Sequence, residues 1–260
     1  MSETLRLAIA AFGIGATIAL YAAPLVAFKR KESTQEFFCL LSITGLLNCL
    51  LFTWYGLPVV SHNWENLPLI IVNGVGILFH LSYILVYSWH ASARGKVKVA
   101  MTTIPVLLVF CIIVAISALG IHDYGHRKLF VGSIGLVASA AMYGYPLKKG
   151  METKSVEFMP LTLSMCSFLA SGLWLIYGLV IRDIFVAGPN AIGIYLGILQ
   201  VVLNIRYRNV SVFEELNRGD LENCNTKEVN LQKRRPEFEV QRRTLYAPMC
   251  NRFSTINLIM

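Results

Sequence analysis

Long apolar runs separated by short polar segments make up most of the first 207 residues. Seven of these runs are free of Asp, Glu, Lys and Arg, and each is about 20 residues or longer, the length that an α-helix needs to cross a bilayer. The runs cover residues 7–28, 37–61, 67–89, 99–121, 129–147, 158–181 and 184–205. Strands of a membrane barrel would instead be about ten residues long with alternating polarity. The pattern therefore predicts an all-α membrane protein with seven transmembrane helices.

The short loops between the runs share the basic residues unequally. The first, third and fifth loops hold three Lys or Arg each, the second holds none, the fourth two and the sixth one. Cytoplasmic loops are enriched in Lys and Arg, so this bias predicts an extracellular N-terminus and a cytosolic C-terminus.

Composition adds a polar tail to this apolar body. The chain is 55% hydrophobic and 15% charged, against about 45–50% and about 25% in soluble domains. Residues 208–260 are rich in charge and lack apolar periodicity, so we expect a disordered cytosolic tail. The net charge of +8 is divided among short loops and the tail, without the continuous basic stripe that a nucleic-acid partner would need.

An internal repeat organises the apolar body. Four motifs of the first half return in the same order in the second half, at offsets of 117 to 122 residues. The matched pairs are Tyr21-Ala-Ala-Pro24 with Tyr143-Gly-Tyr-Pro146, Glu36-Phe37 with Glu157-Phe158, Tyr55-Gly56 with Tyr177-Gly178, and Asn73-x-x-Gly76 with Asn190-x-x-Gly193. Helices 1 to 3 therefore correspond to helices 5 to 7.

The repeat predicts four parts of the chain. These are a three-helix bundle in residues 1–91, a linker helix in 92–123, a second three-helix bundle in 124–207 and the tail in 208–260. An even shift of four helices keeps both copies in the same sense across the membrane. Parallel repeats of this kind are related by an axis along the membrane normal, and transporters built from them hold their substrate between the repeats.

Several of these segments resemble the SWEET family of sugar transporters, and its plant members most. They are Trp54-Tyr55-Gly56-Leu57-Pro58, Asn73-Gly74-x-Gly76, Lys154-Ser155-Val156-Glu157-Phe158-Met159-Pro160, and Arg182-Asp183 followed by Pro189-Asn190-x-x-Gly193. The resemblance implies a 3+1+3 uniporter that moves mono- or disaccharides down their gradients by alternating access. It implies no enzymatic activity and no cofactor. It also implies a multi-pass membrane protein, with the plasma membrane preferred to the vacuolar membrane as its location. Membrane lipid and a sugar are the expected partners, and a homo-oligomer is left open.

Two asparagines and two aromatic residues are the candidates for sugar binding. Asn73 and Asn190 each lie six residues into their helices, about 9 Å below the outer boundary. Phe52 and Trp174, separated by 122 residues, fall at nearly the same level, about 22 to 24 Å along helices 2 and 6. Amides supply the donors and acceptors that sugar hydroxyls require, and aromatic planes suit the C–H faces of a pyranose.

For each Asn the simpler alternative is a hydrogen bond between packed helices. Two such residues at matched depth and repeat position favour binding, and the resemblance implies the same role for Asn73, Asn190 and Trp174. The family often has a smaller residue than Phe52 at that position, so we expect a narrower pocket and a hexose such as glucose rather than sucrose.

Prolines at the opposite end are candidates for an inner gate. Pro24, Pro146 and Pro160 fall near the cytosolic boundary, where each removes a helix hydrogen bond and can act as a hinge. Their alternative explanation is an ordinary helix end or a first-turn proline. The family has a fourth proline where this chain has Leu41, and both cytosolic hairpins are about three residues shorter than in the family.

The resemblance also implies an outer gate that includes Tyr55, Gly56, Gly178 and Asp183, although a turn and close helix packing would account for the glycines. His80 is ionisable and lies seven residues after Asn73 on the same helix face, so it is a candidate for pH sensing. A neutral His that is hydrogen-bonded within the bundle is the simpler interpretation.

Three functions are compatible with the sequence alone. A sugar uniporter is favoured because near-duplicate halves provide a pseudo-symmetric pocket that a seven-helix receptor does not need. A transport-impaired paralogue or assembly subunit is the third alternative, and it depends on Leu41 and the shortened hairpins.

Overall fold

A computed structural model describes residues 3–22, 32–61, 64, 66–153 and 161–206. Within these ranges seven helices are long and apolar enough to span a membrane, and there is no β-strand. They are α1 (Glu3–Ala22), α2 (Glu32–Gly56), α3 (Leu67–His90), α4 (Ala93–Ala115), α5 (Tyr124–Thr153), α6 (Leu161–Val180) and α7 (Ile184–Arg206). The prediction of an all-α protein with seven transmembrane helices is confirmed.

Several helix boundaries differ from the apolar runs, and α5 extends beyond its run at both ends. The run covers residues 129–147, whereas α5 begins at Tyr124 and ends at Thr153, so it includes charged residues at both ends. Long basic side chains can keep their charge in water while their stems cover apolar surface, and a run defined by absence of charge misses such ends. Asp123 caps the start of α5 by accepting a hydrogen bond from the His126 backbone N–H at 2.9 Å. The hydrogen bonds from the His126 backbone N–H and from the His126 side chain lower the pKa of the Asp123 carboxyl.

The helices pack with the two-fold pattern expected of a repeat. In the first repeat, α3 packs against both α1 and α2. Between the repeats, α1 packs against α6 and α2 packs against α5, so the first helix of each repeat contacts the second helix of the other.

Glycines allow two aromatic rings to cross between the repeats. A Cβ added to Gly13 on α1 would lie 3.3 Å from the Trp174 ring of α6, and one added to Gly135 on α5 would lie 3.1 Å from the Phe52 ring of α2. Both the glycines and the rings are separated by 122 residues, so the two contacts are equivalent. Each ring therefore lies against bare backbone of the other repeat.

A second pair of glycines receives two tyrosines. A Cβ on Gly76 would lie 2.8 Å from the Tyr21 hydroxyl, and one on Gly193 would lie 3.0 Å from the Tyr143 ring. The Tyr21 hydroxyl is 3.4 Å from the Cys49 sulfur, and the Tyr143 hydroxyl is 3.4 Å from its repeat counterpart, the Ser171 hydroxyl. The glycine that ends each Asn-x-x-Gly motif thus makes room for a tyrosine from the first helix of the same repeat.

The linker helix α4 is attached to the first repeat near both of its ends. The Trp54 indole N–H donates to the Ser117 hydroxyl at 2.8 Å, and Ser117 lies in a π-helical turn (Ile116–Gly120) that follows α4. Near the start of α4, Lys98 forms an ion pair with Glu36 of α2. These contacts account for the packing of α4 on α2.

The contact at Gly76 generates a stability prediction. Gly76→Ala should lower the free energy of unfolding in detergent by about 1–3 kcal/mol, because its Cβ would collide with Tyr21 and Cys49. Gly74→Ala is the matched control on the same helix, since a Cβ there meets nothing within 4 Å. The control should be neutral or more stable by up to about 1 kcal/mol, as Ala favours helix. Thermal unfolding of both variants checks this, and equal midpoints would contradict the packing account.

Candidate functional site

A cavity of about 90 Å³ lies between the repeats, and all six helices of the two repeats contribute to its walls. We call it the central pocket. Phe52, Asn73, Trp174 and Asn190 all line it. Residues from four different helices that the sequence singled out are therefore brought together at one place.

The walls of the central pocket repeat the internal symmetry of the chain. Of its 17 lining residues, 16 form eight pairs separated by 122 or 117 residues. The pairs are Thr17 with Ser139, Leu20 with Met142, Tyr21 with Tyr143, Asn48 with Ala170, Phe52 with Trp174, Leu69 with Val186, Val72 with Pro189, and Asn73 with Asn190. The pocket is therefore centred on the pseudo-two-fold axis.

The two central asparagines are held in the same way. The Asn73 amide donates to the Leu69 carbonyl at 2.8 Å, and the Asn190 amide donates to the Val186 carbonyl at 2.7 Å. Each bond lies within one helix and uses one N–H of the side chain. An amide can make four hydrogen bonds, so each retains an N–H and its oxygen for a ligand.

Polar residues beside the two rings were missed in the sequence. The Trp174 indole N–H donates to the Thr17 hydroxyl at 2.9 Å, which fixes the orientation of that ring. On the Phe52 side, the Ser139 hydroxyl donates to the Asn48 amide oxygen at 2.7 Å. Thr17 and Ser139 are hydroxyl residues separated by 122 positions, and this matched polarity is the signal that could have identified them.

A charged cluster lies at one end of the bundle, which we call the Asp183 end. The Tyr55 hydroxyl lies 2.7 and 2.8 Å from the two carboxylate oxygens of Asp183. The Lys128 ammonium lies 2.7 Å from the same carboxylate, which is 4% exposed. The Phe185 backbone N–H also donates to it at 3.0 Å, so Asp183 caps α7 as well.

Tyr55 and Asp183 were both predicted at the outer gate, and the structure places them in direct contact. Lys128 was not predicted. Its repeat counterpart at offset 122 is Arg6, which interacts with Tyr177, the counterpart of Tyr55. A basic residue at matched positions of both repeats was the available signal.

The two glycines predicted at the outer gate sit in tight helix contacts. A Cβ on Gly178 would lie 2.5 Å from the Ala187 backbone nitrogen, and one on Gly56 would lie 2.7 Å from the Ile70 side chain. Each contact joins the second helix of a repeat to the third. Close packing therefore accounts for Gly56 and Gly178 without a contact to substrate.

A second cavity lies at the opposite end, which we call the Pro146 end. Leu41, His80 and Pro146 all line this cavity. Pro146 lies inside α5, which continues to Thr153, and α2 passes through Leu41 without a break. The other two prolines predicted at the inner gate, Pro24 and Pro160, lie outside the described residues.

His80 lines the second cavity rather than the central pocket. Its ring stands edge-on to Tyr21 with the centroids 5.4 Å apart, and it fills space left by Gly45. Among the residues that the structure describes, His80 Nδ1 is buried without a hydrogen-bond partner. The hydrogen bond expected of a purely structural histidine is not made at that nitrogen.

Comparison with known proteins places the chain in a family. The family model described as "Sugar efflux transporter for intercellular exchange" matches residues 7–94 and 129–211, that is, both repeats without the linker helix. The chain is 54% identical to "Bidirectional sugar transporter SWEET3" of Arabidopsis thaliana over 215 residues, which are 80% of this chain and 82% of the relative. It is 49% identical to "Bidirectional sugar transporter SWEET3b" of Oryza sativa subsp. japonica, over 80% of this chain and 85% of the relative.

A solved structure agrees with these relatives. The chain resembles a eukaryotic SWEET transporter with a TM-score of 0.67 and 32% identity, over 78% of this chain and 97% of that one. Both repeats match the family model, the seven helices match the fold, and the relatives carry the family name. The chain is therefore a multi-pass integral membrane protein that belongs to the SWEET family of sugar transporters.

Proposed function

We propose that this protein is a facilitative, bidirectional uniporter of a monosaccharide, with a hexose such as glucose as substrate. The observation that carries the proposal is the central pocket, which presents two amides and two aromatic rings on a pseudo-two-fold axis. Among the residues that the structure describes, none with a charged side chain lines it.

The chemistry of this pocket suits a neutral polyol. The Asn73 and Asn190 amides provide donors and acceptors for hydroxyl groups on two sides of the cavity. Phe52 and Trp174 provide apolar planes for the C–H faces of the ring. A transported ion would call for buried charge, and catalysis would call for a nucleophile paired with a base.

The preference for a monosaccharide depends on Phe52. Its ring lines the central pocket and lies against Gly135 of the facing repeat, so it fills space that a second sugar unit would need. The pocket is small, at about 90 Å³. A hexose fits this description better than sucrose.

The difference between the two ends of the bundle supports transport by alternating access. The Asp183 end is held closed by Tyr55 and Lys128 on one carboxylate, whereas the Pro146 end contains the second cavity. Rocking of one repeat against the other about a fixed site would break the first closure and form another at the Pro146 end. The excess of basic residues in the odd-numbered loops assigns the Pro146 end to the cytosol, and the plasma membrane is the proposed location.

Removing either central amide should weaken sugar binding more than stability. Asn73→Ala and Asn190→Ala should each abolish most sugar flux and lower affinity by about tenfold, as expected for one or two lost hydrogen bonds. Asn66→Ala is the matched control, because Asn66 is buried and bonded to Ser61 outside the pocket. It should lower thermal stability and keep sugar affinity. Flux in proteoliposomes and unfolding in detergent test this, and normal transport by either pocket variant would contradict the binding role.

Shortening Phe52 should widen substrate selection. In Phe52→Ser we expect sucrose to compete with labelled glucose, since the missing ring leaves room for a second sugar unit. Phe52→Leu serves as the control that keeps much of the apolar bulk. Competition in proteoliposomes distinguishes them, and sucrose competition that is unchanged in Phe52→Ser would show that another residue sets the size limit.

Introducing the missing proline should speed the conformational change. Because α2 is a continuous hydrogen-bonded helix through Leu41, we expect low wild-type flux, and higher flux in Leu41→Pro with unchanged affinity. Leu41→Ala is the control for loss of the side chain alone. Affinity and flux measured on the same liposomes test the hinge. Lower flux in Leu41→Pro would refute it, and zero flux in the wild type would favour a transport-impaired paralogue.

A further inference from the structure

The second cavity is at least as large as the central pocket. Its volume is about 120 Å³, compared with about 90 Å³ for the central pocket. Tyr21 and Tyr143, together with Leu20 and Met142, line both cavities and so form the layer between them. A sugar that leaves the central pocket toward the Pro146 end must enter this space.

Gln200 gives the second cavity a partly unused amide. Its Nε2 donates to the Tyr143 carbonyl at 3.1 Å, and its Oε1 accepts from the Ser164 hydroxyl at 3.3 Å. These bonds fix the orientation of the amide but use only two of its four hydrogen-bonding positions. One N–H and one lone pair remain for a ligand, one position fewer than each central asparagine retains.

The repeat counterpart of Gln200 supplies an aromatic ring instead of an amide. Tyr83 lies 117 residues earlier, also lines the cavity, and donates from its hydroxyl to the Tyr21 carbonyl at 2.5 Å. Tyr21 and Tyr143 are themselves repeat counterparts, so Tyr83 and Gln200 anchor equivalent carbonyls. Tyr83 therefore makes the same kind of anchoring bond as Gln200 without offering an amide to a ligand.

His80 adds an unsatisfied polar group beside the same cavity. Within the described part of the chain, its Nδ1 has no hydrogen-bond partner, which is costly for a buried polar atom. The cavity therefore combines an amide, hydroxyls, an imidazole and an aromatic ring, without a carboxylate, Lys or Arg among its described lining residues. This is the same chemistry that the central pocket offers to a neutral sugar.

We propose that the second cavity is a separate monosaccharide-binding site, in series with the central pocket, with Gln200 as its principal polar contact. The proposal rests on the proposed function, because its ligand is the transported hexose. The sugar occupies this site before it reaches the central pocket from the Pro146 end, or after it leaves. A sugar that enters from the Asp183 end reaches the central pocket without it.

A site in series on one side has a one-sided kinetic effect. In passive transport the ratio of Vmax to KM must be equal in the two directions, because no net flux occurs at equal concentrations. Weaker binding in the second cavity raises KM for entry from the Pro146 end, and Vmax in that direction must rise by the same factor. The parameters for entry from the Asp183 end stay unchanged.

Gln200→Leu tests this in sealed membrane vesicles of both orientations, with labelled glucose. We expect KM and Vmax for entry from the Pro146 end to rise together by about fivefold, the effect of one lost hydrogen bond. Tyr83→Phe is the matched control, since it removes the equivalent bond to a main-chain carbonyl and keeps the ring. It should leave all four parameters within about twofold of wild type, a smaller change than the loss of one hydrogen bond.

The remaining outcomes decide against the site. A fall of Vmax in both directions in Gln200→Leu would show that Gln200 is only structural, and the same one-sided change in Tyr83→Phe would assign the effect to the carbonyl bonds. Unchanged kinetics in Gln200→Leu would also exclude the site. If wild-type vesicles show no glucose flux at all, the proposed function fails instead, which is a different result from any of these.

Discussion

Contact between each aromatic ring and a glycine of the opposite repeat is the constraint on which the site depends. Trp174 lies on Gly13 and Phe52 lies on Gly135. At both places the two repeats therefore meet where a ring packs on bare backbone, and not where two side chains pack on each other. Close packing at small residues is a main source of helix association in membranes, where apolar burial alone gives little. The two contacts are equivalent under the repeat, and they set the width of the central pocket.

The structure departs from two-fold symmetry at the Asp183 end. Asp183 caps α7 and binds Tyr55 and Lys128, while its counterpart before α3 is the neutral Asn66, which is bonded to Ser61. One buried carboxylate with three partners is well satisfied, so moving Tyr55 and Lys128 away from it would break several charge-assisted bonds together. Similar helices can therefore form a pocket that is symmetric at its centre and, at one end, a charged contact that has no counterpart at the symmetry-related position.

Much of the fold and of the central pocket could be predicted from the sequence, because transmembrane helices appear as long apolar runs and repeats appear as constant offsets. Charge-free runs located all seven helices, and constant offsets brought Asn73, Asn190, Phe52 and Trp174 to one pocket. The contacts of Lys128 and Gln200 were missed for a physical reason: they depend on which helices touch, and periodicity within one helix carries no such information. The extent of α5 was missed because its ends hold charged residues that a search for apolar runs excludes.

A crystal structure with a heavy-atom-labelled hexose would test the central claim most directly, since anomalous scattering locates the sugar independently of the protein. Our account predicts a peak on the pseudo-two-fold axis, between the Phe52 and Trp174 rings and within hydrogen-bonding reach of Asn73 and Asn190. A sugar bound only in the second cavity or only at the Asp183 end, with the central pocket empty, would contradict it.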